Sequence, residues 1–538
     1  MADLPVTYDE KERIWSGGEF SNSLYKEDLS LGTIVFNTLR NSPKNVCQIC
    51  DADGVSLTFE QTLTWAIRLA QFFKRKGLNH ENVIGIAALN STYIQPLGVG
   101  CLLNGTPFHA MNPALDEGTT SALCLKTKPA VIFCDDNVYE KVRSASINWE
   151  PEIYTITGKV EGVPSIEVLL DPTETEKNYQ PEPLVKIGGQ TVAILCSSGT
   201  TGLPKTICVS DRTLLSPINY SSDLVFYTPS GLDWLTGLLV FIVSITCGST
   251  VIRSNKPVTP QYFVHLVKKY KISVALGPPP LISDLVSCPE VTAEAMESVR
   301  NLGYAGASIS LATLQRARKI FRKAMISSTY ALTECGIVTR NLTNSKISSV
   351  GRPYQGMKVR IVDELGQNLS HNEVGEIYAY SGLSWGGFYG DPEAASHFQD
   401  SEGWFHTGDL GNFDSENFLY IVDRKKEVLK HHGLQYWTPE IEDVIAELPQ
   451  VRDVCVMGIY NEDVGDEAGA LVVINEGSSI TTKEIQDHVA KRLPVIRKQL
   501  HAGVQFTKKL PTNLNGKTLR KAAREEFLAK KQLESAQL

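Results

Sequence analysis

TVAILCSSGTTGLPKT, residues 191–206, carries a short apolar, β-rich run from Thr191 to Leu195 into Ser197, Ser198, Gly199, Thr200, Thr201 and Gly202, and then reaches Lys205. Backbone N–H groups, hydroxyls and one cation are thereby offered at a bend, which is what a phosphate group needs. A solvated turn has the same composition, so the flanking residues decide. Gly199 and Lys205–Thr206 stand at the spacing of a G-x-x-x-x-G-K-[ST] loop, but Pro204 takes the place of its second glycine. Thr206-Ile-Cys-Val-Ser210 reads as a strand, whereas that loop opens a helix whose N-terminus holds the phosphates. The stretch therefore predicts strand, phosphate loop, strand.

The chain around it has 538 residues, which at about 150 per domain implies three or four lobes. Apolar residues make up 42% and charged residues 21%, the profile of a soluble globular enzyme. The net charge of −8 gives no reason to expect nucleic acid. Eleven scattered cysteines suit a reducing compartment, and the lone Cys47-Gln-Ile-Cys50 reads as strand packing rather than a metal or redox site. The N-terminus is acidic and lacks an apolar core, so no signal or transit peptide is expected. The most apolar run, Trp234 to Cys247, is fourteen residues long and predicts a buried helix, not a membrane span. Ala536-Gln537-Leu538 keeps the leucine of a peroxisomal address but not its lysine, so a cytoplasmic location is expected, with the peroxisome as the alternative.

From Val83 to Asp135 strand-like and helix-like runs alternate, which is βαβαβ grammar for a parallel sheet. The alternation resumes after Ser210 with strands DLVFYTP, STVIRS, ISVALGPP and NLGYAGA, and with helices at Pro260 to Tyr270 and Ser310 to Lys323. Between Val350 and Asp423 short glycine-punctuated strands predict a smaller β-rich subdomain. Beyond Asp423-Arg424-Lys425-Lys426 lies an α+β tail of about a hundred residues, long enough for a domain of its own. The expected fold class is thus α/β, with a multi-lobed domain over residues 1–424 and a small mobile α+β domain over 425–538.

Five further segments could carry chemistry. Tyr330-Ala-Leu-Thr-Glu334 sets a hydroxyl beside a carboxylate, a hard oxygen ligand suited to Mg²⁺, although a helix cap has the same look. Gly408–Asp409, in Trp404-Phe-His-Thr-Gly-Asp409, alone reads as a turn, and Asp423–Arg424 as a solvated connector. Lys430-His-His-Gly433-Leu-Gln435 holds adjacent histidines that face opposite ways on a strand and cannot easily share one ion. Pro511-Thr-Asn-Leu-Asn-Gly516-Lys517 ends on a lysine of the kind that decorates many loops.

Together with the phosphate loop, these segments resemble, in order and spacing, the motifs of the adenylate-forming superfamily of acyl-CoA synthetases, 4-coumarate–CoA ligases and beetle luciferases. The resemblance covers roughly residues 190–520. It implies that residues 197–202 and Lys205 grasp ATP, that Tyr330, Gly306, Ala307 and Ala331 border the adenylate, and that Thr333 meets the α-phosphate. Glu334 would bind Mg²⁺, Asp409 and Arg424 the ribose, and Lys517 would be the catalytic lysine of adenylation. Lys430 would act in a second step, after the small domain turns about Arg424–Lys425. The implied reaction activates a carboxylic acid with ATP, releases pyrophosphate and passes the acyl group to coenzyme A, which is favoured over a tethered thiol because no carrier domain is visible.

The acid is expected to be fatty, with the acyl pocket shaped by Trp234, Tyr304, Ala305 and Ala331. An aryl-CoA ligase and a luciferase-type monooxygenase are the alternatives, although the polar or histidine residue usual near Trp234 is lost. Thr206 for glycine, Asp211 for histidine and Ala331 for glycine depart from the motifs and leave room for a nucleotide-binding pseudo-enzyme. Partners are expected to be small molecules only, with the chain a monomer or a weak oligomer.

Overall fold

The computed structural model describes residues 5–19, 28–196, 204–215, 221–343, 345–513 and 517–537. Strand Thr191–Cys196 is β-branched and buried along most of its length, as a strand inside a sheet must be. It pairs antiparallel with Thr206–Ser210, Cys196 opposite Thr206, so the ends of the phosphate loop emerge side by side. Thr206 is fully buried, and its hydroxyl donates to the Tyr389 carbonyl at 3.1 Å. A β-branched residue fits that extended position, and there it ties the loop's second strand to the segment around Phe388.

This pair forms one edge of a six-stranded sheet that continues through Phe108–Ala110, Ile84–Ala87, Val131–Cys134 and Glu152–Thr155. The inner pairs are parallel, with helices Ile94–Asn104 and Glu117–Thr127 as crossovers, as the alternation predicts. Ile94–Asn104 is buried on every side, because helices Leu31–Asn41, Phe59–Arg75 and Leu235–Thr246 share its core. The predicted run from Trp234 is thus a buried helix, and no described helix is long and apolar enough to cross a membrane.

The second α/β sheet has nine strands, with Val225–Tyr227, Val274–Gly277, Asn301–Ala305 and Met325–Leu332 near its middle. Its far edge is Val46–Cys50 and Ser56–Thr58, drawn from the opposite end of the chain. Cys47 and Cys50 are buried there in ordinary strand packing. The β-rich lobe is a six-stranded antiparallel sheet that also recruits the hairpin Thr7–Asp9 and Ile14–Ser16, where Ser16 pairs with Lys358. Trp15 fills its core, stacked on Phe413 at 4.2 Å.

Strand Leu419–Arg424 ends that lobe, and Leu429–His431 begins a separate five-stranded sheet with helices Thr438–Ala446, Thr482–Arg492 and Arg520–Gln537. The architecture is the expected one, a large multi-sheet α/β unit followed by a small α+β unit.

Candidate functional site

Tyr330-Ala-Leu-Thr-Glu334 does not follow a strand or start a helix: Tyr330, Ala331 and Leu332 are the last residues of Met325–Leu332, and Thr333 and Glu334 lie in the turn to antiparallel Gly336–Arg340. Successive strand residues face opposite sides. Tyr330 accordingly points to the β-rich lobe, where its hydroxyl donates to Asp409 Oδ2 at 2.7 Å, and Ala331 faces a cavity on the other side.

Asp409 lies in Phe405–Phe413, opposite Arg424 at the end of Leu419–Arg424. The Arg424 Nε stands 3.5 Å from Asp409 Oδ1. Gly408 has φ +71°, a conformation glycine adopts without strain, and its N–H donates to Glu376 Oε1. Burial raises the Asp409 carboxyl above its ordinary value, against the Tyr330 hydrogen bond and the charges of Arg424 and Lys517.

Glu334 faces the same cleft. Burial pushes its carboxyl up to about 7, with Lys205 and Arg424 pulling it down and Asp409 adding to the rise. Lys205 Nζ also sits 4.4 Å over the Phe388 ring. Lys517 is lowered from the usual lysine range by burial and by Arg424, while Asp409 and Glu427 oppose the shift. Its backbone N–H donates to Asn513 Oδ1 at 2.9 Å. Segments some three hundred residues apart thus bring Lys205, Tyr330, Glu334, Asp409, Arg424 and Lys517 to one cleft.

Other expected residues stand differently. Ser197, Ser198, Gly199, Thr200, Thr201 and Gly202 lie outside the described residues. Gly306 and Ala307 are exposed just past the strand Asn301–Ala305, with Gly306 at φ +94°. Lys430 is exposed on Leu429–His431 of the small unit, opposite Gln435, with its backbone N–H on Asp466 Oδ2 at 2.9 Å. Asp211 is a buried side chain whose Oδ1 accepts from the Arg212 N–H. No group of three or more metal-ligating side chains occurs among the described residues. A divalent cation at Glu334 would be held by one carboxylate together with phosphate oxygens, which is how Mg²⁺ is usually bound.

Beside the hairpin lies an apolar pocket, open to solvent on one side, with Tyr304, Ala305 and Ala331 in its lining. Trp234 is not in its wall. It caps helix Leu235–Thr246, and Leu235, Thr236, Leu239, Val240 and Val243 from that helix form one side instead. Phe226, Thr329, Ile337 and Arg340 also line the cavity and carry no motif. Their signal was positional: Thr329 and Ala331 alternate with the motif tyrosine, and Arg340 and Ile337 pair with them across the hairpin.

Comparison with known proteins gives the family. The AMP-binding enzyme family matches residues 35–387, and the AMP-binding enzyme C-terminal domain matches residues 440–517. The chain belongs to the AMP-binding enzyme family, the adenylate-forming superfamily its motifs resemble, and is an enzyme of that family. It is 28% identical to 4-coumarate–CoA ligase 3 of Oryza sativa subsp. japonica over 90% of this chain and 89% of that one. It is 26% identical to luciferin 4-monooxygenase of Photinus pyralis over 89% and 90%. The fold matches ATP-bound MatB from Rhodopseudomonas palustris with a TM-score of 0.83 at 21% identity, over 93% of this chain and 99% of that one.

Proposed function

We propose that the protein is an ATP-dependent acid–thiol ligase that converts a carboxylic acid with an apolar body, a fatty acid in the first instance, to its acyl-adenylate and then to the coenzyme A thioester. The observation that carries this reading is the convergence of Lys205, Glu334, Asp409, Arg424 and Lys517 on one cleft beside the apolar cavity.

The first half-reaction must bring two anions together. The carboxylate attacks the α-phosphorus of ATP, the bond to pyrophosphate breaks, and charge grows on the phosphate oxygens. Lys517 and Lys205 supply positive charge there, and the Thr333 hydroxyl donates to an α-phosphate oxygen. One such preorganised donor is worth about 3 to 4 kcal/mol. Mg²⁺, when bound through Glu334, neutralises phosphate charge. Asp409 accepts from the ribose hydroxyls with Arg424 alongside, and Tyr330 holds Asp409 while bordering the adenine. Residues 197–202 complete the phosphate loop, with Gly306 and Ala307 at the nucleotide's edge. Tyr304, Ala305 and Ala331 bound the acyl group.

For the second half-reaction, the unit from residue 425 onward turns about Arg424–Lys425, withdraws Lys517 and presents the exposed Lys430 face. The thiolate of coenzyme A then attacks the acyl carbonyl and AMP leaves. Such a rotation is a hinge motion of the kind that gates turnover. The test is a panel of aliphatic and aryl acids scored for pyrophosphate release with ATP and Mg²⁺, with and without coenzyme A. Acid-dependent release with thioester formation is expected, and no release above background for any acid would overturn the reading.

A further inference from the structure

Glu376 stands on the strand Gly375–Tyr380 of the β-rich lobe, where Ile377 and Ala379 are fully buried and Glu376, Tyr378 and Tyr380 lie half-buried on the other face. A carboxylate on an outer sheet face is ordinarily solvated, yet this side chain is only 13% exposed and both of its oxygens are engaged. Oε1 accepts from the Gly408 N–H at 3.2 Å, and Oε2 accepts from Lys425 Nζ at 2.7 Å. The same two partners are also joined directly, since the Lys425 N–H donates to the Gly408 carbonyl at 2.9 Å. Gly408 precedes Asp409 and Lys425 follows Arg424, and those two residues stand opposite each other at the end of the pairing between Phe405–Phe413 and Leu419–Arg424. Three bonds thus close around the residues that flank the Asp409–Arg424 pair.

Without that closure the pair would sit at a free strand end. Leu419–Arg424 stops at Arg424, and chain ends open more readily than strand middles because fewer bonds hold them. The same end takes the strain when the small unit turns about its hinge. Holding it steady calls for a residue outside both strands, with one acceptor for each side of the pair, and Glu376 on the adjacent strand meets that description. We infer that Glu376 is a positioning residue for the nucleotide: it anchors Gly408 and Lys425 to Gly375–Tyr380, and so keeps Asp409 and Arg424 in the geometry that meets the ribose hydroxyls while the chain beyond Lys425 turns. This rests on the ligase reading above for the ribose role of Asp409 and Arg424. Glu376 acts only through that pair, touches neither nucleotide nor acid, and takes part in no bond-making step.

The experiment measures by calorimetry the Kd of ATP and of 2′-deoxy-ATP, each with Mg²⁺, for the wild type, Glu376→Ala, Glu376→Gln, Lys425→Met and the Glu376→Gln/Lys425→Met double variant. The wild type is expected to bind ATP at least about tenfold more tightly than 2′-deoxy-ATP, the order a hydrogen bond to a charged group supplies. Glu376→Ala should lose most of that preference, with ATP weakened roughly tenfold and 2′-deoxy-ATP by far less. Glu376→Gln keeps an acceptor for Gly408 and should lose only about threefold for ATP, because Lys425 is 56% exposed and its ion pair is correspondingly weak. Lys425→Met should match it, and the double variant should be no worse than Glu376→Gln alone, as expected when one contact is removed from either side. A Glu376→Ala protein that loses the same factor for both nucleotides, or none for either, overturns the inference. If that variant fails to fold, the same comparison for Glu376→Gln and Lys425→Met decides. A wild type indifferent to the 2′-hydroxyl also overturns the inference and leaves the ligase reading intact. Failure of the acid panel, by contrast, counts against the ligase reading whatever these Kd values are.

Discussion

The hydroxyl of Tyr330 donates a 2.7 Å hydrogen bond to Oδ2 of Asp409, joining the end of a strand in the second α/β sheet to the β-rich lobe. The bond stabilises a carboxylate whose burial alone would favour its protonated form. Tyr330→Phe removes the donor and keeps the ring. Leaving the buried acceptor short of a partner costs about 1 to 3 kcal/mol. The expected result is a rise of roughly tenfold in the KM for ATP with kcat little changed, read from initial rates of pyrophosphate release. An equal fall in kcat at constant KM would place Asp409 in the chemical step instead.

Lys517 and Lys430 are predicted to separate the two half-reactions. Lys517 shares the cleft with Asp409 and Arg424, whereas Lys430 is exposed on the first strand of the small unit's sheet. Lys517→Ala should lower acid-dependent pyrophosphate release by about a hundredfold or more, while thioester formation from a supplied acyl-adenylate persists. Lys430→Ala should show the opposite bias. Equal loss of both steps in Lys517→Ala would remove the rotation from the mechanism.

Tyr304 is 9% exposed and forms part of the cavity wall. Tyr304→Ala enlarges the pocket at the price of a core contact. Stability should fall by about 3 kcal/mol, the lower end for an aromatic truncation, seen as a lower denaturant midpoint. Bulkier acids should gain in kcat/KM relative to slender ones. An unchanged ranking of acids would show that Tyr304 does not touch the acyl group.

Much of this architecture was legible because its signals are local. The strands that flank the Ser-Gly-Thr segment, the βαβ alternation and the buried helix after Trp234 each depend on neighbouring residues, and each is where the pattern put it. Non-local pairing was not legible. Nothing in Val46–Cys50 announces that it will lie beside Thr250–Arg253, and nothing in Ile14–Ser16 points to Lys358. The site divides in the same way. Tyr330, Glu334, Asp409, Arg424 and Lys517 stand in motifs whose spacing marks them, and folding gathers them. Arg340 has no motif and reaches the pocket lining only through a bulged hairpin register, which shifts between Tyr330 and Ala331. Trp234 shows the limit of reading a helix start from sequence alone: it stands at the N-cap in extended backbone, and the pocket-lining residues of this element begin one position later.

Asp233, next to that helix start, gives a pH dependence with a definite sign. Its Oδ2 accepts a 2.9 Å hydrogen bond from Asn112 Nδ2, and burial pushes its pKa from 3.8 up to about 6, the Asn112 bond opposing the rise. The folded protein therefore holds this proton more tightly than the unfolded chain. Between about pH 4 and pH 6 the native state binds more protons than the unfolded state, so this group's contribution to stability falls as pH rises through that window. Across the full shift the change amounts to at most about 3 kcal/mol. Asp233→Asn keeps a hydrogen-bonding side chain and removes the titration. The variant should gain in stability relative to the wild type as pH increases from 4 to 7, by a difference read from urea midpoints at matched ionic strength. Parallel pH profiles for the two proteins would show that the Asp233 carboxyl titrates alike in the folded and unfolded chains.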